Sequence, residues 1–292
     1  MTDKPVILIL HHDDDDGRCA AAIAAGSYGD DSFDIRFLAV NYGKEEYDQV
    51  ILKEAQTIWM VDFTSNVMET FVSEYGYKLI WIDHHKTAME KYPSIWNSND
   101  IAGIRSLDKA GCELTWDYCS NEATPFAVQL IGDRDMWEFE YPETKMFCAG
   151  VSALIKTPYD SIWFDLLTDK VSAIYSIMQA GTILLESQMY RVEKVFDRGI
   201  DIIFHGYNAR LVNTTTDISE VGEYIYQKPE YDLAIMWQAI NDMLVFSLRS
   251  NSKDSNAPDC SLIAQKYGGG GHFYAAGFSI NNVNFTTPLG LI

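Results

Sequence analysis

Long apolar runs are missing from this 292-residue sequence. Stretches such as Val6–Leu10 are far too short to span a bilayer, which argues against a membrane-spanning helix. Met1-Thr2-Asp3-Lys4-Pro5 is followed by only that brief run, so no secretory signal is expected. Cysteine is sparse. The five residues at 19, 112, 119, 148 and 260 include no Cys-x-x-Cys pair, which argues against a disulfide framework or a structural zinc and fits reduced thiols in a cytoplasmic protein. Without a secretory signal, the sequons Asn213-Thr214-Thr215 and Asn284-Phe285-Thr286 carry no weight. Basic residues are outnumbered, 22 to 42, giving a net charge of −20. A chain so acidic has no broad basic track for a long nucleic acid. The deficit is uneven: residues 201–292 carry −4 and the first 200 carry −16. The phosphate loop Gly-x-x-x-x-Gly-Lys-Ser/Thr, the dinucleotide fingerprint Gly-x-Gly-x-x-Gly after a strand, and the elbow Gly-x-Ser-x-Gly are all absent. Nucleoside triphosphatase, dinucleotide oxidoreductase and serine hydrolase readings therefore have no support.

Apolar residues make up 47% of the chain, and the length suggests two globular domains. Residues 5–10 read as a strand that runs into His11-His12-Asp13-Asp14-Asp15-Asp16-Gly17, followed by an Ala-rich helix, Arg18–Ala25. Side chains of an extended chain alternate faces. His12, Asp14 and Asp16 would then share one face, a half-site for a hard or borderline divalent ion. The plainer alternative is an acidic cap on the following helix. One Asp suffices for a cap, whereas four packed together repel one another unless a cation lies between them.

Further strands are expected at Phe33–Val40, at Thr57–Val61 ending in Asp62, and at Lys78–Ile82 ending in Asp83-His84-His85. Helices are expected at Glu45–Ala55, Ser65–Tyr75, Lys109–Cys119 and Pro125–Ile131, the last ending at Gly132-Asp133-Arg134-Asp135. Such alternation predicts an α/β fold with a mostly parallel sheet flanked by helices. In such sheets the ligand site lies beyond the carboxyl ends of the strands, where three strands here end in metal-ligand residue types. Residues 159–199 read as a long helical connector.

From residue 201 the pattern changes to strands at Ile202–Phe204, Asn208–Val212, Leu233–Ile240 and Met243–Leu248, with a hairpin turn at Asn241-Asp242. Short helices are expected at Ser219–Tyr226 and Cys260–Tyr267, and a final strand at Phe278–Ile280 before a tail at 284–292. Four glycines, 268–271, precede His272 and can bring backbone N–H groups close to an anion. Arg249, at a strand end, suits bidentate phosphate contact. A flexible linker is the alternative, but firm strand and helix patterns flank the glycines closely.

Taken in order, His12-x-Asp14-x-Asp16-Gly17, Asp62, Asp83-His84-His85, Asp133 and Gly-Gly-Gly-Gly-His272 resemble the DHH phosphoesterase superfamily with a C-terminal DHHA1 domain, most like its nano-RNases. Phe246–Ser250 and Ile263–Tyr267 resemble the DHHA1 pattern as well, so the likeness covers nearly the whole chain. It implies a DHH domain at 1–158, a connector at 159–199, a smaller α/β DHHA1 domain at 200–292, and an active site in the cleft between the two domains. It implies two Mn²⁺ ions, with Mg²⁺ or Co²⁺ as substitutes. His12, Asp14, Asp16, Asp62, His84 and Asp133 would be the ligands, with Asp62 bridging. Asp135 is a second candidate in the fourth motif; Asp133 is preferred because it follows Leu130-Ile131-Gly132, with Trp137 four residues on. Asp62 and His85 would be catalytic, and His85, Arg249, Ser250, Gly270, Gly271 and His272 would bind substrate.

The reaction implied is phosphodiester hydrolysis by a water held and acidified between two ions about 3.5–4 Å apart, with His85 the candidate proton donor. The substrates implied are short oligonucleotides or small nucleotides cut to mononucleotides. A 3′,5′-bisphosphonucleoside phosphatase, a linear or cyclic dinucleotide phosphodiesterase and an inactive nucleotide-binding regulator are alternatives. Long single strands, membranes and pyrophosphate are disfavoured; the sequence leaves the oligomeric state open, with a homodimer one candidate.

Overall fold

The computed structural model describes residues 4–29, 32–42, 45, 47–241 and 243–281. The expected tail, Asn284, Asp242 and part of the expected Glu45–Ala55 helix lie outside them. The chain divides into two compact units, Met1–Leu185 and Glu186–Ile292.

The first unit is built on four parallel strands, β1 (Val6–His12), β2 (Asp34–Val40), β3 (Thr57–Val61) and β4 (Leu79–Ile82), in the order β2-β1-β3-β4. Around them lie α1 (Asp15–Gly26), α2 (Gln49–Glu54), α3 (Met68–Tyr75), α4 (Lys86–Lys91), α5 (Pro93–Trp96), α6 (Gly111–Cys119), α7 (Phe126–Asp135), α8 (Thr144–Leu154), α9 (Ile162–Leu167) and the start of α10 (Val171–Asp197). A sheet covered on both faces needs apolar residues at every strand position, which is why β1 reads as an unbroken run. Ile7 and Ile9 join a core with α1, α6, α7 and α8, while Val6, Leu8 and Leu10 join a second core with α2, α3, α4 and α5. The alanines of α1 are small enough to bury it tightly: Ala20, Ala21 and Ala24 are fully enclosed.

Chain order reverses between β1 and β3, since β2 lies on the far side of β1. The crevice of such a sheet opens at the carboxyl ends flanking that reversal. Here those ends are His12 and, one residue past β3, Asp62.

Two expected boundaries shift with consequence. The Pro125–Ile131 helix runs on as α7 through Asp135, so Asp133 and Asp135 are helical. The expected continuous connector breaks between α9 and α10. Helix α8 had not been predicted.

The second unit holds six strands in the order β5-β6-β7-β8-β10-β9: β5 (Ile200–Phe204), β6 (Tyr207–Asn213), β7 (Leu233–Ile240), β8 (Met243–Arg249), β9 (Gly270–His272) and β10 (Ala275–Ile280). Only β6 and β7 pair in parallel among the described strands of this sheet. Alternation along β7 divides the core: Leu233 and Ile235 face α12 (Cys260–Gln265), while Ala234 and Met236 face α11 (Ile218–Tyr226) and the end of α10. The glycine run forms an edge strand rather than a loop. Gly271, with φ 141°, lies so close to β10 that a Cβ there would be 2.6 Å from the Ala275 carbonyl oxygen.

Candidate metal centre

Strand β1 ends at His12, and the chain turns at once into α1. Asp14 is the N-cap: its Oδ1 accepts the Gly17 N–H at 2.9 Å, while its Oδ2 lies 2.6 Å from His12 Nδ1. Asp16 sits in the first turn of α1 and is buried. Its two oxygens each accept, at 2.8 Å, the N–H groups of Gly111 and Cys112 that open α6. Gly111 is required there, because a Cβ would fall 2.7 Å from the Asp62 Cβ and 2.9 Å from Asp16 Oδ2. The expected trio of His12, Asp14 and Asp16 is therefore brought together, but by a strand-to-helix turn and not by alternation along an extended chain.

Asp62 is buried and left-handed, φ 52°, directly after β3. That conformation costs an L-residue on the order of 1–3 kcal/mol, though Asp bears it better than most. The Asp62 N–H donates to the Ile82 carbonyl at 2.9 Å, which helps hold the residue in place.

His84 Nε2 lies among three carboxylates, 3.0 Å from Asp62 Oδ1, 3.4 Å from Asp135 Oδ2 and 3.7 Å from Asp16 Oδ2. His85 is oriented from behind. Asp83, fully buried, accepts from His85 Nδ1 at 2.7 Å and from the His84 N–H at 2.8 Å, and is itself bonded by the Thr64 hydroxyl, which accepts from Trp81 Nε1 at 3.1 Å. Such a chain fixes the ring and the tautomer, leaving Nε2 clear.

The electrostatics favour cations at this cluster. Desolvation, then the charges of Asp16, Asp14 and Asp135, hold the Asp62 carboxyl well above its usual range. Burial, with Asp16 and Asp14, pushes Asp135 up to about 7. That rise corresponds to about 4 kcal/mol against the charged form, and to on the order of 2 once screening of its 28% exposed side chain is allowed for. Burial opposes ionisation of Asp14 as well, but the His12 imidazole and the Gly17 N–H outweigh it and hold Asp14 at about 2. Asp14 likewise raises His12, and burial lowers His84. For His85 burial works against the charged ring, but the hydrogen bond to Asp83 prevails and its pKa rises.

Three sets of side chains place one potential ligand atom each within 4.8 Å of the others: His12, Asp14 and Asp62; Asp16, His84 and Asp135; Asp62, His84 and His85. The first two share no residue, and Asp62 reaches both. Imidazole and carboxylate together fit Mn²⁺, Fe²⁺, Co²⁺ or Zn²⁺ in character, with Mg²⁺ better served by the carboxylates alone.

Asp133 is not part of this assembly. Residues two apart on a helix point about 200° away from each other, so only one of Asp133 and Asp135 can face this cluster. Asp133 points into the protein, taking the Thr144 hydroxyl and the Glu140 and Tyr141 N–H groups at 2.7 and 3.3 Å. The signal was Asp135 itself, two positions on; the helix was expected to end too soon to separate the pair. Tyr42 was missed entirely. Its ring lies 5.5 Å from that of His12 and 5.8 Å from that of His85, and nothing in the sequence around it marks the position.

In the second unit the register aligns Arg249, Ala275 and His272 across β8, β10 and β9, on the face that carries α11. At the usual strand spacing Arg249 and His272 are about 10 Å apart. Arg249 Nη1 donates to the Leu248 carbonyl at 2.9 Å, and Gly270, Gly271 and His272 are exposed. Ser250 is buried. Its hydroxyl donates to Pro258 at 2.8 Å and its N–H to Tyr274 at 3.1 Å, so both donors are turned inward.

No family model matches the sequence. The uncharacterized protein R106 of Acanthamoeba polyphaga mimivirus is 28% identical over 232 residues, 76% of this chain; the match spans 51% of that relative, so the chain covers about half its length. Among solved structures, the pGpG-specific phosphodiesterase PggH of Vibrio cholerae aligns over 95% of this chain and 94% of its own, with a TM-score of 0.55 and 16% identity. The DHH domain of a member of a ribosomal protein family aligns over 94% of this chain and 82% of its own, with a TM-score of 0.52 and 16% identity. The chain has a DHH-domain fold. Within the DHH fold, the parallel sheet and the second, mixed sheet match the α/β architecture read from the sequence. No described helix is long and apolar enough to cross a membrane.

Proposed function

We propose that this protein is a metal-dependent phosphodiesterase that cuts short oligonucleotides or small nucleotides to mononucleotides, with Mn²⁺ as its working ion. The observation that carries the reading is the pair of His/Asp groups joined at Asp62, at the point where strand order reverses. His12, Asp14 and Asp62 would hold one ion, and Asp16, His84, Asp135 and Asp62 the other. Divalent ions there would supply Lewis acidity toward phosphoryl oxygens and would bring the pKa of a bound water toward neutrality.

The chain's own groups do the rest. Asp16, gripped by the α6 N–H groups, and Asp62, held between strand ends, fix the spacing of the two groups. His85, with Nδ1 tied to Asp83 and a raised pKa, can carry a proton on Nε2 and give it to the departing nucleoside oxygen as water forms the new P–O bond. Arg249, Gly270, Gly271 and His272 would bind the nucleotide, contributing orientation rather than bond breaking. PggH, by its name, acts on pGpG, a substrate of the size proposed here.

The test is turnover by the purified protein with Mn²⁺ on a panel: two- to five-nucleotide RNA and DNA, a 3′,5′-bisphosphonucleoside, cyclic dinucleotides, pyrophosphate and a long single strand. Two- to five-nucleotide substrates are expected to turn over fastest, with activity lost in EDTA and restored by Mn²⁺. Fastest turnover of pyrophosphate or of the long strand would overturn the reading.

A further inference from the structure

A cavity of about 530 Å³ adjoins the candidate metal centre in the first unit, and Asp14, Asp16 and Asp135 of that centre line it. That volume suits a nucleotide-sized ligand. Arg18, Arg134, Trp137 and Ser152 line the cavity as well.

The two arginines are used differently. Arg18 is mostly buried and committed: Nη1 pairs with Asp15 at 3.2 Å and Nη2 with Asp13 at 2.9 Å. It thereby neutralises the two acids of the opening run that do not join the metal centre, and Asp15 is bonded further by Ser152. The Nε–H of Arg18 remains the buried side-chain polar atom without a partner among the described residues. Arg134 is exposed, near enough to Asp15 and Cys148 to be felt electrostatically, yet its guanidinium makes no hydrogen bond or ion pair among the described residues. Its neighbour on α7, Asp135, faces the ligands. The helix thus puts a ligand and a free guanidinium side by side at one rim.

Trp137 follows in the left-handed conformation, φ 60°, just past the end of α7, with 72% of its surface exposed. Its ring edge is braced by Phe139, centroids 4.9 Å apart at 79°. An indole that large, held out beside a polar cavity instead of in the core, offers a flat face to a heterocycle.

We propose that this cavity is a substrate subsite, in which Arg134 pairs with a second phosphoryl group beside the one being cut and Trp137 stacks on a base. The inference rests on the phosphodiesterase reading for what lies at the metal centre. It adds a preference for dinucleotides bearing a terminal phosphate. A guanidinium–phosphate pair is planar and bidentate, and its loss weakens binding about tenfold to a hundredfold. Loss of a base–aromatic stack weakens it about fivefold or more.

Calorimetry tests this without catalysis, using adenylyl dinucleotides with an uncleavable methylphosphonate linkage and a 5′-phosphate, a 3′-phosphate or neither. The wild-type protein with Mn²⁺ is expected to bind one phosphorylated form at least about tenfold more tightly than the unphosphorylated one. Arg134→Ala should erase that ratio, while Lys170→Ala, which removes an exposed charge that does not line the cavity and pairs with Asp165, should preserve it. Trp137→Ala should weaken all three dinucleotides, and Trp137→Phe should restore most of the loss. A ratio that survives in Arg134→Ala, or no preference in the wild type, overturns the phosphate seat. Unchanged binding in Trp137→Ala overturns the base seat. Turnover of pApA by the wild type is scored separately: no turnover with the binding pattern intact would end the phosphodiesterase reading and leave the subsite standing.

Discussion

In Met1–Leu185 every described strand of the sheet is parallel, both faces are covered, and the polar side chains gather at the strand ends, buried and bonded to one another. In Glu186–Ile292 the sheet is mixed and ends in an exposed edge strand of two glycines and a histidine. Like charges are forced together in the first unit, and Asp16, Asp62, Asp83 and Asp133 each have a backbone or side-chain brace. In the second, His272 and Arg249 are aligned by register, and Arg249 is tied to its neighbour's carbonyl, that of Leu248. A centre proposed to hold cations at fixed spacing needs such bracing. A surface that receives a ligand needs open donors. The contrast predicts that damage to the first unit removes chemistry, and damage to the second weakens affinity.

The sharpest break would come from Asp62→Asn, which tolerates the same left-handed backbone and keeps the shape. Mn²⁺-dependent turnover of short oligonucleotides is expected to fall by at least about a thousandfold with the thermal transition retained. Normal activity would sink the shared-ligand arrangement.

Asp135→Ala and Asp133→Ala separate two neighbours on one helix. Asp135→Ala should weaken Mn²⁺ binding about tenfold to a hundredfold, by analogy with other groups that support metal sites, without loss of stability. Asp133→Ala strands Thr144 and two N–H groups and should cost about 2–4 kcal/mol in urea unfolding. Although burial raises the Asp133 pKa, its three donors hold it below the usual value. Its stabilising share is therefore complete above about pH 4 and fades as pH falls below that. The reverse pattern, with Asp133 governing the metal, would restore the ligand set expected from the sequence.

His272→Ala should raise the KM for dinucleotides about tenfold, a typical cost of one charged or polar contact, and change kcat less. A loss confined to kcat would move His272 into the chemistry. The smallest rise in KM is expected from Gly271→Ala, which forces a Cβ against β10 and strains φ, and whose main cost is about 1–3 kcal/mol of stability in urea unfolding.

Much of this was legible. The strands showed through their apolar runs because both sheet faces are covered, and Asp62 and His84 showed because they follow those runs directly. The expected grouping of Asp14 with Asp16 recurs in the geometry, where Arg18 takes Asp13 and Asp15. The reason was not readable: the chain turns at Asp14, and no alternation rule applies past His12. Asp133 misled because a glycine at 132 resembles a helix stop, whereas here it leaves room for Glu113, whose carboxylate would lie 2.4 Å from a Cβ. Ser250 resembled a ligand contact by motif, yet its orientation depends on Pro258, a tertiary neighbour no local pattern reveals.

The grip of the α6 N-terminus on Asp16 joins positions 95 and 96 residues apart. Those two amide protons cannot be shielded until the chain between them has folded, and they are released when the carboxylate lets go. Deuterium uptake at Gly111 and Cys112 is therefore a native clock for the centre. Slow exchange would mark an intact cage, and its dependence on added Mn²⁺ would show how far the ions lock a site whose own charges push it apart.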